Sequence, residues 1–249
     1  NAGMARISVS VDGSTAGPHD AFRGTTGSFK RSMEIIDDAT AVGLSFQVNT
    51  TVSRYNRDDL DNLAALVQGF GVTMWDLFFL VPTGRGRADD MLSAEEHEDV
   101  FNWVYDLSQR VPFDIKTTAA QHYRRILLQR TAGALKAGPG FMPADGVQRS
   151  PKGVNDGNGV VFISHVGDVC PSGFLPVAAG NMRQQPLAEI YRGSWVFCEL
   201  RDRSLLKGKC GRCEYNGVCG GSRARAYAVT GDYLEAEPCC VYQPGNGMA

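Results

Sequence analysis

The cysteines constrain most strongly what this chain can fold into, because all seven of them lie after residue 169. Their positions are Cys170, Cys198, Cys210, Cys213, Cys219, Cys239 and Cys240. The count is odd and no export signal is visible in the sequence, so a complete disulfide framework is not expected. Clustered cysteines of this kind instead indicate metal ligation or redox chemistry in the second half of the chain.

The spacing of the last five cysteines is typical of a site with four thiolate ligands. Cys210 and Cys213 form a CxxC turn, and Cys219 follows after five further residues. The adjacent pair Cys239 and Cys240 can supply the fourth thiolate from a distant segment. Four thiolates suit either zinc or an iron–sulfur cluster. Zinc ribbons more often carry two CxxC turns, so the missing second turn favours the cluster.

The segment that carries these cysteines is strongly basic. Residues 201–225 contain seven Arg and Lys residues against two acidic residues, which gives a net charge of +5. A thiolate-ligated cluster is negatively charged, so surrounding cations stabilise it and tune its potential. The positive charge of this segment therefore supports an iron–sulfur cluster. The alternative is that these residues form a solvated basic face on a loop that zinc stabilises.

The first 136 residues alternate between strand-like and helix-like segments. Strands are predicted at 6–11, 45–52, 74–81 and 113–118, and helices at 28–42, 58–69, 93–110 and 119–136. Ser93 and Glu96 form a capping box at the start of the third of these helices, and His97 is expected on its exposed face. The order predicts a parallel sheet, either as a small open α/β layer or as the second half of a barrel whose first strands lie outside this chain.

A change of composition near residue 137 predicts a domain boundary. The stretch 138–159 is rich in Gly and Pro and is interpreted as a linker between a domain at 1–137 and a second domain at 160–249. The second domain is predicted to begin with a β-hairpin formed by 160–164 and 168–170, followed by short helices.

The overall composition excludes several classes of protein. The chain of 249 residues is 43% apolar and 21% charged, with a formal net charge of −2, which is close to ordinary globular usage. These values exclude a disordered chain and a basic nucleic-acid-binding tail domain. No run of about 18 apolar residues occurs, so no transmembrane helix and no membrane partner are expected. The slightly negative net charge gives no reason to expect a nucleic-acid partner. No signal peptide is visible, so a cytoplasmic location is expected.

The cysteine block resembles the C-terminal SPASM/twitch region of radical S-adenosylmethionine (AdoMet) enzymes. The similarity lies in residues 207–227, 230–234 and 238–242. Segments 10–13, 19–24, 48–51 and 81–86 are similar to the later strands of that family's barrel. The resemblance implies an α/β fold, in which the C-terminal part of a partial (β/α)6 barrel precedes a small Cys-rich domain with a β-hairpin and helices. The group it is most similar to contains heme-biosynthesis decarboxylases and peptide-modifying maturases.

The same resemblance implies the ligands of one auxiliary [4Fe-4S] cluster. They are Cys210, Cys213, Cys219 and Cys240, with Cys239 as the substitute for the fourth. Ser222 stands where fuller members of the family carry a cysteine, and only Cys170 stands where they carry a pair, so one auxiliary cluster is expected and not two. Cys198 is expected to be a buried apolar thiol.

The resemblance also implies residues that contact AdoMet and substrate. Ser10, Asp12 and Asn49 lie on or just after predicted strands, where barrels bind ligands, and are expected to contact AdoMet. Arg23 is expected to pair with the carboxylate of AdoMet. A plain turn or a surface ion pair is the alternative for these residues. His122 is the candidate for proton transfer near the substrate, with a surface histidine at the start of a helix as the alternative.

By resemblance, the chain is part of an enzyme that cleaves AdoMet reductively to a 5′-deoxyadenosyl radical. That radical would abstract hydrogen from a tetrapyrrole or another small molecule, or from a peptide, with electrons supplied by flavodoxin or ferredoxin. The family's Cys-x3-Cys-x2-Cys loop does not occur in these 249 residues, so the chain alone is expected to be inactive. The alternative is a non-catalytic module that holds zinc or an iron–sulfur cluster and recognises a peptide or protein partner.

Overall fold

A computed structural model of the chain describes residues 3–131 and 154–245. The described residues form two compact units. The sheet unit comprises 3–80 and 99–118, and the cysteine unit comprises 81–98, 119–131 and 154–245. Residues 138–153 of the predicted linker lie outside the described residues, so the domain boundary stays a prediction. In the described ranges, no helix is both long enough and apolar enough to cross a membrane.

The sheet unit contains four parallel strands in the order of the sequence. They are β1 (Ile7–Ser10), β2 (Phe46–Val52), β3 (Met74–Phe79) and β4 (Asp114–Thr118). Helices lie between them: α1 (Ala16–Arg23) and α2 (Ser28–Ala41), then α3 (Leu60–Gly69), then residues 99–108 of α4 (Ala94–Ser108). This architecture confirms the α/β class predicted from the alternating segments.

One face of the sheet is apolar and forms the core of the sheet unit. Along β2 every second residue is buried, and the residues between them are half-buried. Trp75 and Phe79 of β3 pack against α4, with ring centroids 6.1 Å from Trp103 and 4.9 Å from Phe101 respectively. Helices thus cover one face of the sheet, and the alternation leaves the opposite face for polar side chains.

The cysteine unit is built from short elements around small apolar clusters. Its strands are β5 (Phe162–Ile163), β6 (Asp168–Cys170) and β7 (Gly180–Asn181), which pair antiparallel in this order. Its helices, besides the start of α4, are α5 (Tyr123–Arg130), α6 (Leu187–Gly193), α7 (Trp195–Arg201), α8 (Gly208–Gly211) and α9 (Arg223–Thr230). The apolar clusters join β6, α6, α7 and α9. The predicted hairpin is present, and β7 extends it by a strand that was not predicted.

The structure tests two of the predicted helix N-termini. The capping box is confirmed, because the Ser93 N–H donates to Glu96 at 2.7 Å and the Glu96 N–H donates to the Ser93 hydroxyl at 3.1 Å. The predicted start of a helix at Ala119 is wrong, since Ala119 has a φ of +55° and α5 begins at Tyr123. The predicted end of that helix, at 132–136, lies outside the described residues.

Candidate metal centre

Four cysteines of the cysteine unit line one pocket. They are Cys210, Cys213, Cys219 and Cys240. The pKa of the Cys219 thiol is raised to about 12, chiefly by burial and additionally by the charges of Cys210 and Cys240. Such coupling acts at short range. The fold thus brings together the four cysteines for which the resemblance implied a shared cluster.

The four thiols provide the donor set of an iron–sulfur cluster. Tetrahedral zinc requires four sulfur atoms at about 2.3 Å from a single point. In a [4Fe-4S] cluster each thiolate binds a different iron atom, so the sulfurs stand farther apart around a shared pocket. Four cysteines around one pocket match that donor set, so the residues present fit an iron–sulfur cluster.

Backbone amides donate hydrogen bonds to two of the sulfur atoms. The Gly221 N–H donates to Cys219 Sγ at 3.3 Å, and the Glu237 N–H donates to Cys210 Sγ at 3.3 Å. Hydrogen bonds of this kind stabilise thiolates and tune the potential of an iron–sulfur cluster. The segments that carry Gly221 and Glu237 therefore contribute to the site although neither residue is a ligand.

Gly221 must be glycine for two reasons. Its φ of +64° is in the left-handed region, which L side chains rarely adopt. A Cβ atom there would lie 2.5 Å from Arg223 Nη2 and 2.7 Å from Glu237 Cβ. The close approach of this backbone to the sulfur atoms is therefore available only to glycine.

A second close approach occurs at Gly211, between the two cysteines of the CxxC turn. A Cβ atom at Gly211 would lie 2.0 Å from the backbone oxygen of Leu206. We expect Gly211→Ala to lower the free energy of unfolding by about 2–3 kcal/mol, because backbone must move to relieve the overlap. Urea unfolding of the anaerobic protein measures the change.

Gly193→Ala is the matched control for that substitution, since no atom lies within 4 Å of a Cβ built at Gly193. Its free energy of unfolding should stay close to that of the parent protein. Equal effects of the two substitutions would contradict a specific overlap at Gly211.

Cations surround the pocket. Arg125 and Lys209 both line it. Burial raises the pKa of the Cys240 thiol, and the charges of Arg125 and Lys209 offset part of that increase. Arg125 is held by a bidentate ion pair with Glu98, and Lys209 Nζ donates to the backbone oxygen of Cys240. These positive charges compensate the negative charge of a thiolate-bound cluster.

A buried ion pair ties the cysteine loops together. Arg225 and Glu237 have side chains that are 0% and 1% exposed, and Arg225 Nη1 lies 3.1 Å from Glu237 Oε2. The Glu237 carboxylate also accepts the N–H groups of Ser222 at 2.7 Å and Cys239 at 3.0 Å. Burial raises the pKa of Glu237, but the charge of Arg225 and the hydrogen bonds from these amides outweigh it and lower the pKa to about 2. Glu237 is therefore an anion that fixes the segments on either side of the pocket.

Two histidines are buried in this region. His122 lines the pocket, and its ring centroid lies 5.6 Å from that of His97. Both side chains are 1% exposed. The exposed position predicted for His97 is therefore wrong, and so is the alternative that His122 is a surface residue. Burial lowers the pKa of His97 to about 4 and that of His122 well below 6.5, so both are neutral at pH 7.

The other three cysteines are placed outside the pocket lining. Cys239 is buried, and its Sγ lies 3.7 Å from the backbone oxygen of Leu92. Cys170 is buried at the end of β6. Cys198 is exposed on α7, so the prediction of a buried apolar thiol is wrong. Cys240 therefore lines the pocket and its neighbour Cys239 does not, while Cys240 as the fourth ligand stays a prediction.

The comparisons with known proteins agree with this site. Residues 155–214 match the family model of SPASM, an iron-sulfur cluster-binding domain, and this range includes Cys210 and Cys213. Over 246 residues the chain is 45% identical to the AdoMet-dependent heme synthase of Methanosarcina barkeri. That match covers 98% of this chain and 70% of the relative. This chain belongs to the radical AdoMet enzymes with a SPASM domain.

Other radical AdoMet proteins are similar over most of the chain. The mycofactocin maturase MftC of Mycobacterium tuberculosis is 29% identical, with 94% of this chain and 57% of the maturase covered. The crystal structure of Streptococcus suis SuiB bound to S-adenosylmethionine superposes with a TM-score of 0.63 at 11% identity, over 95% of this chain and 54% of that chain. The last comparison supports the fold alone. The chain thus spans between about half and 70% of the length of these proteins.

The sheet unit of this radical AdoMet enzyme carries the four residues predicted to contact AdoMet. Asp12 is buried, and its carboxylate accepts the Thr51 N–H at 2.7 Å and pairs with the guanidinium of Arg23. Ser10 and Asn49 are half-buried neighbours in register on β1 and β2. Asp12 therefore orients Arg23, whereas Ser10 and Asn49 lie together on the polar face of the sheet.

Sequence reasoning missed three charged residues that the structure makes prominent. Arg225 and Glu237 form the buried pair beside the cysteines, and Asp76 is 1% exposed within β3. The one signal for Asp76 was a lone carboxylate in an otherwise apolar strand. Glu237 gave no signal, because an acidic residue before a proline is ordinary in a loop.

Proposed function

We propose that this chain is part of an AdoMet-dependent heme synthase, in which Cys210, Cys213, Cys219 and Cys240 bind one [4Fe-4S] cluster. The 45% identity to a heme synthase across 98% of the chain carries this proposal. The identity to a mycofactocin maturase is lower, at 29%, and supports that activity less strongly. The substrate class is therefore a tetrapyrrole.

In this proposal the protein residues bind, orient and compensate charge. When bound, AdoMet supplies a 5′-deoxyadenosyl radical that abstracts hydrogen from the substrate. The Arg23 guanidinium, oriented by Asp12, provides a charged donor for the AdoMet carboxylate. Ser10 and Asn49 provide polar contacts on the adjacent strands. Neutral His122, at the wall of the cysteine pocket, is placed to donate or accept one hydrogen bond there.

We further propose that these 249 residues alone do not cleave AdoMet, because they contain no Cys-x3-Cys-x2-Cys motif. The full-length protein is therefore the form to assay for heme synthesis. The electron donor is proposed to be a reduced flavodoxin or ferredoxin.

The test begins with metal analysis of the chain purified without oxygen. We expect a brown protein with about four iron atoms and four sulfide ions per chain. The full-length protein, given AdoMet, a reduced flavodoxin and a propionate-bearing iron porphyrin, is expected to release heme, detected by liquid chromatography and mass spectrometry.

Two results would contradict the proposal. A colourless protein with one zinc ion per chain would favour the non-catalytic metal-binding module. A brown full-length protein that cleaves AdoMet but leaves the porphyrin unchanged would exclude heme synthesis, and a peptide would then be the next substrate class to assay.

A further inference from the structure

We infer that Lys116 binds a carboxylate of the substrate on the polar face of the sheet. Four polar side chains lie side by side there, one on each strand. The row is Ser10 on β1, Asn49 on β2, Asp76 on β3 and Lys116 on β4. The inference rests on the proposed function, because a tetrapyrrole with propionate groups supplies the carboxylate.

The central residue of this row is a buried carboxylate. Asp76 is 1% exposed, in a strand whose other residues are all apolar. Its two oxygens accept hydrogen bonds from Lys116 Nζ at 2.6 Å and from Thr118 Oγ1 at 2.8 Å. Burying a charge has a cost that an ion pair often fails to recover, and apolar residues frequently give a sheet at least as much stability. The pair is therefore better explained by a requirement for an oriented ammonium group than by stability.

Lys116 has capacity left for a ligand. Its side chain is 51% exposed, although it is anchored to a buried partner. An ammonium group has three N–H donors, and among the described residues only Asp76 accepts one from Lys116. Because Asp76 fixes the position of Nζ, less side-chain entropy is lost when a ligand binds. Lys116 is thus a pre-oriented cation at an accessible position.

The neighbouring groups favour an anionic ligand. Both oxygens of Asp76 are already occupied by hydrogen-bond donors. Asn49, the register neighbour of Asp76, accepts from Gln47 through Oδ1, which leaves its NH2 group as a further donor on this face. Ammonium and amide N–H donors together suit a carboxylate. The substrate propionates and the carboxylate of AdoMet share this chemistry. We assign Lys116 to a propionate, because Arg23 is the proposed donor for the AdoMet carboxylate.

Binding of a fluorescent porphyrin to the full-length protein tests the assignment. The probes are protoporphyrin IX, which carries two propionates, and its dimethyl ester, in which both propionates are esterified and carry no charge. We expect Lys116→Met to weaken binding of protoporphyrin IX about tenfold, as for loss of one charge-assisted hydrogen bond, and to leave the ester unchanged. Lys116→Arg should retain affinity for the acid within about threefold, because it keeps the charge.

Lys30→Met is the matched control, since Lys30 is an exposed lysine of α2 with a surface partner, Glu34. It should change binding of neither probe. Because Lys116→Met leaves Asp76 buried without its cation, the double variant Asp76→Asn with Lys116→Met is measured beside it. This variant removes both charges and should show the same loss for the acid alone.

A calorimetric titration with AdoMet separates the two sources of carboxylate. Unchanged AdoMet affinity in Lys116→Met, with weaker porphyrin binding, supports the inference. Weaker AdoMet binding with unchanged porphyrin binding would overturn the inference and assign Lys116 to the cofactor instead. Unchanged binding of both ligands would also overturn it, because the ion pair of Lys116 with Asp76 would then be only structural. Heme formation by the parent protein is read separately, so failure of this assignment leaves the proposed function standing.

Discussion

Replacing Cys240 with alanine is expected to remove nearly all of the iron from anaerobically prepared protein. Cys240 lines the pocket shared with three other cysteines. A cluster that lacks one of its four thiolates loses the sulfur–iron bond that holds one of its iron atoms. The charges of Arg125 and Lys209 lie beside the same thiol. Iron and sulfide content, together with the broad visible absorption of the cluster, measures the loss.

Cys239→Ala is the sharpest control, because it changes the adjacent residue. The Cys239 thiol lies against Leu92 and does not line the pocket, so iron content should remain near the parent value. Alanine at Cys210, Cys213 or Cys219 should repeat the effect at Cys240, and alanine at the exposed Cys198 should have none. Iron retained in the Cys240 variant and lost in the Cys239 variant would reverse the ligand assignment.

The second large effect is expected at the buried ion pair. Arg225→Met leaves the Glu237 carboxylate buried without its cation, and breaking a buried pair in this way costs about 3–5 kcal/mol. Glu237 also holds the N–H groups of Ser222 and Cys239, so the loss should spread to the cysteine loops. Urea unfolding of anaerobic protein measures the free energy, and iron content measures the local consequence.

The control for Arg225→Met is Lys207→Met, which removes an exposed ion pair with Asp232 in the same unit. Exposed pairs contribute little to stability, so this variant should unfold close to the parent. Acid unfolding adds an independent readout. The pKa of Glu237 is about 2, below its ordinary value of 4.5, so its contribution is complete above pH 4.5 and is lost as the pH falls toward 2. Similar stability of the two variants would show that the buried pair is dispensable.

The sheet could be predicted because its signals are local. Alternation along β2 and the apolar run of β3 identify strands, and the reciprocal Ser93 and Glu96 contacts mark the start of α4. Helix α1 was not predicted, since its first residues include Gly17 and Pro18, which usually indicate a turn. Strand β7 has only two residues, too few for a periodic pattern.

The cysteine site could be predicted in part. The CxxC turn and its basic surroundings identified the metal-binding segment, but the choice between Cys239 and Cys240 depends on which way each side chain turns in the fold. The burial of His97 was missed although the helical period indicates it, because His97 lies three, four and seven residues before Val100, Phe101 and Val104, which are buried on the same face of α4. Asp76 and Lys116 are 40 residues apart, and only the register of β3 with β4 makes them neighbours.

The cysteine unit is discontinuous along the chain, since it draws on residues 81–98 and 119–131 as well as on 154–245. Glu98, His122 and Arg125, which surround or support the pocket, come from the two earlier stretches. A truncation that starts at the beginning of the SPASM match would therefore separate the ligands from much of their electrostatic environment. Expression boundaries for spectroscopic work should begin upstream of residue 81, so that both intervening segments are retained.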